Sequence, residues 1–195
     1  MKLDTYIQAY LSENKAAKAW YEICKKAGKQ AVVDHITFRC INVEERAKEF
    51  LSLGYTFSEK VDYPDQGWWA NVYRMGEDLP AIFIDQDYEE FKNGIIAPWV
   101  KLFGDKVLHH IAVRVEDIEK AKQDMEQAGI RFPADIVGGK GSPLRQIFTA
   151  AEVKQGKPYS VLEITERGID PRTGKMYTGF INLQADQLMK DSLKT

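Results

Sequence analysis

Cysteine and histidine are scarce in this 195-residue chain, and neither sign of charge dominates. Cys24 and Cys40 are the two cysteines, and neither belongs to a Cys-x-x-Cys pair. A disulfide framework and a zinc ribbon are therefore not expected; a reduced thiol pair in a cytoplasmic protein is. No apolar run approaches the ~18 residues of a membrane-spanning helix. Met1 to Lys15 is polar and amphipathic and lacks the apolar core of a signal peptide. The formal net charge is −2, with no Lys/Arg run that would make a nucleic-acid footprint. Hydrophobic residues at 44% and charged residues at 29% suit a soluble globular chain of one domain, or of two small modules sharing a core.

What is present is a repeat. All three histidines open two similar segments, Asp34-His35-Ile36-Thr37-Phe38-Arg39 and His109-His110-Ile111-Ala112-Val113-Arg114, offset by 75 residues. The offset continues without a gap: Glu44 falls on Glu119, Gly54 on Gly129 and Phe57 on Phe132. Two copies of one unit can bring two histidines to a shared centre.

Periodicity predicts a helix over Asp4 to Lys26, closed by Gly28, within an N-terminal segment of residues 1–31. A first module, residues 32–87, reads as strand, helix (Glu44 to Leu53) and three strands: Tyr55 to Lys60, Trp68 to Arg74 and Ala81 to Asp85. The turns between them are Tyr63-Pro64-Asp65-Gln66-Gly67 and Met75-Gly76-Glu77-Asp78. Residues 88–107 form a connector, helical or irregular and interrupted at Pro98. The second module, residues 108–167, repeats the order with a strand at Leu108 to Val115, a helix at Ile118 to Ala128, and strands near Ile130 to Ile136, Leu144 to Thr149 and Tyr159 to Glu166. Gly138-Gly139-Lys140-Gly141-Ser142 is a turn and not a phosphate loop, because no strand leads through it into a helix. Residues 168–195 form a tail with a weak amphipathic helix near Leu183 to Leu193. The fold class is α+β, built from two β-α-β-β-β modules.

His35 and His110 hold equivalent places on equivalent strands, and divalent metal sites join neutral imidazoles with carboxylate. Glu163, between large apolar neighbours on Val161 to Arg167, is the best source of that carboxylate, since its burial is costly unless it is paired or metal-bound. Alternation points His109 away from His110, as a surface or supporting histidine. Arg39 and Arg114 follow the histidines by four residues, on the same strand faces. Their planar forks suit a carboxylate, either of a substrate or of Glu163, Glu166 or Asp34. Gln146, if inward-facing, offers an amide to a polar substrate group. Trp68, Trp69 and Tyr73 read as core and cavity wall.

These residues resemble the vicinal oxygen chelate fold shared by glyoxalases and extradiol dioxygenases, a half-open barrel of paired β-α-β-β-β modules. Leu144 to Thr149 and Leu162 to Arg167 are similar to strands of 4-hydroxyphenylpyruvate dioxygenase, in which the matching glutamine contacts substrate and the matching glutamate binds iron. A closer resemblance is to the 2-oxoadipate dioxygenase/decarboxylase family. It is carried by Asp34 to Arg39, Gly54-Tyr55, Leu79 to Ile84, Lys140 to Gln146 and Tyr159 to Arg167, in order over about residues 32 to 167. The resemblance implies His35, His110 and Glu163 as metal ligands and Arg39 as the anchor of a substrate carboxylate. Gln146, Arg114 and Ser142 join Arg39 as substrate-binding candidates, with Arg39 and Gln146 as catalytic ones. It also implies that members active on 2-oxoadipate are considerably longer than this chain.

Glyoxalases draw a fourth ligand from the last strand of each module. The middle of the first-module counterpart, Ala81-Ile82-Phe83-Ile84-Asp85, is apolar, which favours a three-ligand site of the kind used by non-haem Fe(II) oxygenases. The leading expectation is an Fe(2+)-dependent oxidoreductase, a dioxygenase/decarboxylase of a small 2-oxo acid. Alternatives are a Zn(2+), Ni(2+) or Mn(2+) glyoxalase-type lyase, isomerase or hydrolase, or a non-catalytic small-molecule binder of the same fold. The expected partners are a small substrate and dioxygen, with no membrane and no nucleic acid. The resemblance admits a homodimer, and Met176 to Leu193, with Phe180 as a plug, is a candidate lid.

Overall fold

The structure, a computed structural model, describes residues 2–76, 78–89 and 94–193. Glu77 of the expected turn and residues 90–93 of the expected connector lie outside the described residues. In chain order the elements are α1 (Lys2–Glu13), α2 (Lys15–Lys26), β1 (Val32–Arg39), α3 (Val43–Ser52), β2 (Thr56–Tyr63), β3 (Trp68–Arg74), β4 (Ala81–Asp87), α4 (Ile96–Phe103), β5 (Val107–Val115), α5 (Ile118–Gln127), β6 (Leu144–Phe148), β7 (Glu152–Lys154), β8 (Lys157–Arg167) and α6 (Asn182–Asp191). They make two compact units, Asp34–His110, and Met1–Val33 with Ile111–Thr195. The division falls within β1 and β5, so each strand contributes residues to both units. Among the described residues no helix is long and apolar enough to cross a membrane.

In the unit Asp34–His110 the strand order is β2-β3-β4-β1. The first two pairings are antiparallel and β4 runs parallel to β1, with His35 opposite Ala81, Thr37 opposite Phe83 and Arg39 opposite Asp85. In the other unit β8 lies between β5 and β6, antiparallel to β6. The short β7 folds back onto β8 through Gln155 and Gly156, both at positive φ (53° and 71°), the conformation a tight hairpin demands.

The 75-residue repeat is structural. Helices α3 and α5 start and end at repeat-equivalent residues. Their N-caps are also equivalent: the Asn42 side chain accepts from Glu45 N at 2.9 Å and the Asp117 side chain from Lys120 N at 2.8 Å, each satisfying a backbone donor that the helix leaves open. Phe50 and Met125, also equivalent, are both fully buried on their helices.

Three expectations need correction. The N-terminal helix is two helices. Asn14 adopts an extended conformation (φ −105°, ψ 114°), caps α2 by accepting from Ala17 N, and donates from its amide to Ser160 Oγ at 3.2 Å. That long-range bond favours the cap over helix continuation. Second, Ile130 to Ile136 is not a strand. Pro133 removes a ladder donor, and pairing is reduced to a single bridge between Val137 and Gln146. Third, Pro98 does not interrupt α4. It is the third residue of that helix, where the backbone N–H has no intrahelical partner to lose.

Two groups of contacts fix the helices. In the unit Asp34–His110, Phe50 packs against Phe38 and Tyr55, with ring centroids 5.2 and 6.1 Å apart. In the other, Arg145 on β6 makes a two-pronged contact with Glu119 of α5, at 2.9 and 2.6 Å, and reaches Glu166 of β8 at 3.3 Å. Glu166 also accepts from Ile118 N, at the start of α5, at 2.8 Å. The Arg145 guanidinium holds the Glu119 carboxyl down, from the usual 4.5 to about 2.

Two outcomes are expected. Phe50→Ala should cost about 3–5 kcal/mol in urea unfolding, because it empties a fully buried aromatic site. Glu119 has its pKa depressed in the folded state, so its contribution to stability is present above about pH 4.5 and is lost as pH falls toward about 2. Glu119→Gln should therefore lower stability at neutral pH and flatten the acid side of the profile, with the two proteins converging as pH falls toward about 2.

Candidate functional site

Strand alternation puts His35, Thr37 and Arg39 on one face of β1. All three are buried, at 3%, 2% and 0% exposure. His35 Nδ1 lies 3.0 Å from Asp34 Oδ2. A carboxylate only accepts, so Nδ1 carries the hydrogen and Nε2 keeps its lone pair. His110, on β5, is also buried, and its ring meets that of His35 edge-on with centroids 5.6 Å apart. Potential ligand nitrogens of these two residues lie within 4.8 Å of each other.

Two neighbours hold the His110 ring. Thr37 Oγ1 is 3.0 Å from Nε2, and His109 Nδ1 is 2.8 Å from Nδ1. His109 is not a surface residue. It is 2% exposed and packs edge-on against Trp99, 5.5 Å between centroids. Burial, and then the nearby Arg39 and His110, hold its pKa well below the usual 6.5, so it is neutral.

Arg39 is sunk in the same unit as part of a charge system. Its guanidinium lies 5.2 Å from the centre of the Trp99 ring, and Asp85 faces it across the β1–β4 register. Burial lowers the Arg39 pKa to about 10 against the opposing pull of Asp85 and Asp87. Burial pushes Asp85 up to about 7, opposed by Arg39 and His35. Asp87 caps α4, accepting from Ile96 N at 3.1 Å and Ala97 N at 2.6 Å. Phe83, two residues before Asp85, stacks obliquely on His35 at 5.0 Å. The β4 side chain beside His35 is thus a phenyl ring, and the acid of that strand, Asp85, stands opposite Arg39.

In the other unit Glu163 is 2% exposed. Gln146 Nε2, from β6, donates to its Oε1 at 2.5 Å, and Thr165 Oγ1 donates to the same oxygen at 2.7 Å. Gln146 and Thr165 are direct cross-strand partners, so the β6–β8 register delivers both donors to one oxygen and fixes the carboxylate. Gln146 faces inward, and its amide is turned to Glu163.

The remaining candidates lie apart from these clusters. Ser142 Oγ donates to Leu144 O at 2.8 Å and closes the glycine turn. Gly138 in that turn has φ 98°, and a Cβ there would meet Leu144 O at 2.4 Å, so the turn demands glycine. Arg114 is half-buried near the end of β5. Two of the acids considered for it, Glu163 and Glu166, are held by Gln146 and Thr165 and by Arg145. Arg167, on the Glu163 face of β8, donates to Tyr177 O and Gly179 O at 3.3 and 2.8 Å and lies 4.7 Å from the centre of the Phe180 ring. The tail is pinned there. Cys24 and Cys40 are both free and buried.

Sequence reasoning missed Thr37 and the pairing of Asp34 with His35. The signal for Thr37 was available, since it stands between His35 and Arg39 at period two. The Asp34 contact was not readable, because alternation sends adjacent side chains to opposite faces.

The profile of the glyoxalase/bleomycin resistance protein/dioxygenase superfamily matches residues 34–145, more than half of the chain. No curated protein sequence matches. Among solved structures, a hydroxyglutarate synthase from Oryza sativa in complex with 2-oxoadipate is similar at a TM-score of 0.83 and 18% identity, covering 98% of this chain and 91% of its own. A candidate hydrolase from Shewanella frigidimarina NCIMB 400 is similar at 0.79 and 20%, covering 92% and 96%. A variant of 4-hydroxymandelate synthase from Streptomyces coelicolor is similar at 0.68 and 14%, covering 84% and 53%. At these identities the likeness shows the fold. With the α+β modules, the repeat and the matched profile in agreement, this chain belongs to the glyoxalase/bleomycin resistance protein/dioxygenase superfamily and has its fold.

Proposed function

We propose that the chain is an Fe(2+)-dependent dioxygenase that oxidatively decarboxylates a small 2-oxo acid, with His35, His110 and Glu163 as the metal ligands. One observation carries this reading: the donor set is chemically ready for a cation. His35 presents a lone-pair Nε2 because Asp34 takes Nδ1. When His110 donates from Nδ1 to His109, its Nε2 is likewise a lone-pair nitrogen, which accepts from the Thr37 hydroxyl at 3.0 Å and which a cation would take over from it. Glu163 is a buried carboxylate whose plane is set by two donors, the kind of supporting contact that metal ligands carry. Two histidines and one carboxylate fit non-haem iron, and Phe83 in place of a fourth ligand argues against the four-ligand glyoxalase pattern.

Bound iron would supply the redox chemistry with dioxygen and a chelation point for a 2-oxo acid. The remaining work belongs to the chain. Asp34, Thr37 and His109 hold the imidazoles. Gln146 orients Glu163 and offers amide contact to a substrate oxygen. Arg39 holds a substrate carboxylate, the distal one in a dicarboxylic acid, with Asp85 and Asp87 as its resident counter-charges. Arg114 and Ser142 stand further from this role, and the pinned tail forms a cover with Phe180. The solved relative that holds 2-oxoadipate supports a 2-oxo acid as the substrate class. A cytoplasmic setting fits the free buried thiols.

The test is oxygen uptake and CO₂ release by iron-loaded protein offered a panel of 2-oxo acids. One CO₂ per O₂ consumed is expected with at least one dicarboxylic 2-oxo acid, abolished by a chelator. Turnover that proceeds with Zn(2+) in nitrogen-purged buffer would assign the site to the lyase or hydrolase class instead. In the same preparation, Gln146→Leu should stay folded and weaken metal affinity about 10–100-fold in a chelator competition, because it strips a supporting bond from the carboxylate.

A further inference from the structure

A cleft of about 520 Å³ opens between the N-terminal helices and the strands of the unit Met1–Val33 with Ile111–Thr195. Its size falls within the ~300–1,000 Å³ of small-molecule sites. Ile111, Val113 and Leu162 form its floor, and all three are buried. Alternation along β8 puts Leu162 on the face opposite Glu163, so the cleft is separate from the carboxylate cluster. Leu11 and Trp20 supply apolar walls from α1 and α2. The one phenol in the lining with a fixed partner, Tyr10, donates its hydroxyl to Val161 O and turns its ring to the space.

The charges that line the cleft are of one sign: Lys25 and Lys29 do, and among the described residues no aspartate or glutamate does. Lys29 meets Glu116 at 3.4 Å, but both side chains are largely in water, at 68% and 91% exposure, so that pair is weak and readily exchanged. An apolar trough with cations at its mouth matches a molecule with an apolar body and one anionic end.

We propose that this cleft is a second binding site, for a monocarboxylic acid with a medium-length apolar tail. The tail lies over Ile111, Val113 and Leu162 beside Trp20, and the carboxylate meets Lys25 and Lys29. The site requires no metal and does not depend on the reaction assigned to the histidines.

Calorimetric titration with decanoate, decan-1-ol and acetate tests it. Decanoate should bind saturably, one per chain, and about tenfold more tightly than decan-1-ol, with acetate showing no saturation. Lys25→Gln with Lys29→Gln, exposed positions that leave the fold intact by circular dichroism, should erase the preference for the acid over the alcohol. Leu11→Trp, at a half-exposed wall position, should abolish decanoate binding by filling the space. No saturable decanoate binding to the wild-type protein overturns the proposal. So does an undiminished acid preference in the double lysine variant, or loss of decanoate binding in Glu163→Ala, which would put the ligand in the other site. A self-association that buries the cleft and persists at saturating decanoate would assign it to a second copy of the chain and overturn the proposal as well.

Discussion

The structure turns on the burial of hydrogen-bonding groups that have no place in an ordinary core. Glu163 at 2% exposure and His35 and His110 at 3% and 5% lie on strands whose neighbours are isoleucine, valine and leucine. Each such group would be costly without a partner. Each has one supplied by its own strand or the next: Asp34 for His35, Thr37 and His109 for His110, Gln146 and Thr165 for Glu163. The strands are therefore both the hydrophobic core and the framework of the polar groups. Their alternation separates the two roles.

The repeat explains how such an arrangement arises twice and why the copies differ. Helix ends, N-caps and the glycines closing α3 and α5 coincide at the 75-residue offset, so the shared part is local backbone chemistry. The functional part is divided unequally. The first copy carries Arg39 with Asp85 and Asp87, and a phenyl ring beside its histidine. The second carries the carboxylate and its two donors. Arg145, which follows no repeat rule, ties α5 to β6 and β8 and leaves Glu166 and Glu119 occupied. For this reason the acidic trio Asp117, Glu119 and Glu166, although close enough to hold an ion, is better read as an anchor for a helix.

Much of this was legible from one sequence. Repetition exposed His35 and His110, and an apolar context exposed Glu163. The repeat and its closing glycines, Gly54 and Gly129, placed α3 and α5, and β3 fell on its expected residues. What stayed hidden depended on contacts across the chain. Asn14 splits the first helix because Ser160, 146 residues away, takes its amide. The expected strand at Ile130 to Ile136 is missing because the chain around Pro133 yields to a single bridge at Val137. Alternation left His109 either a surface or a supporting histidine; Trp99 closes over it and it meets His110, so it is the second. The face of Gln146 was left open, and which group its amide meets depended on the β6–β8 register, which no local pattern encodes.

The central claim is that His35, His110 and Glu163 hold one metal ion, and metal content tests it most directly. Protein purified anaerobically and loaded with Fe(2+) should hold one ion per chain. His35→Ala, His110→Ala and Glu163→Ala, each verified as folded by circular dichroism, should each lose it. Full metal occupancy in Glu163→Ala together with loss in the two histidine variants would contradict the account, because it would leave the carboxylate outside the centre.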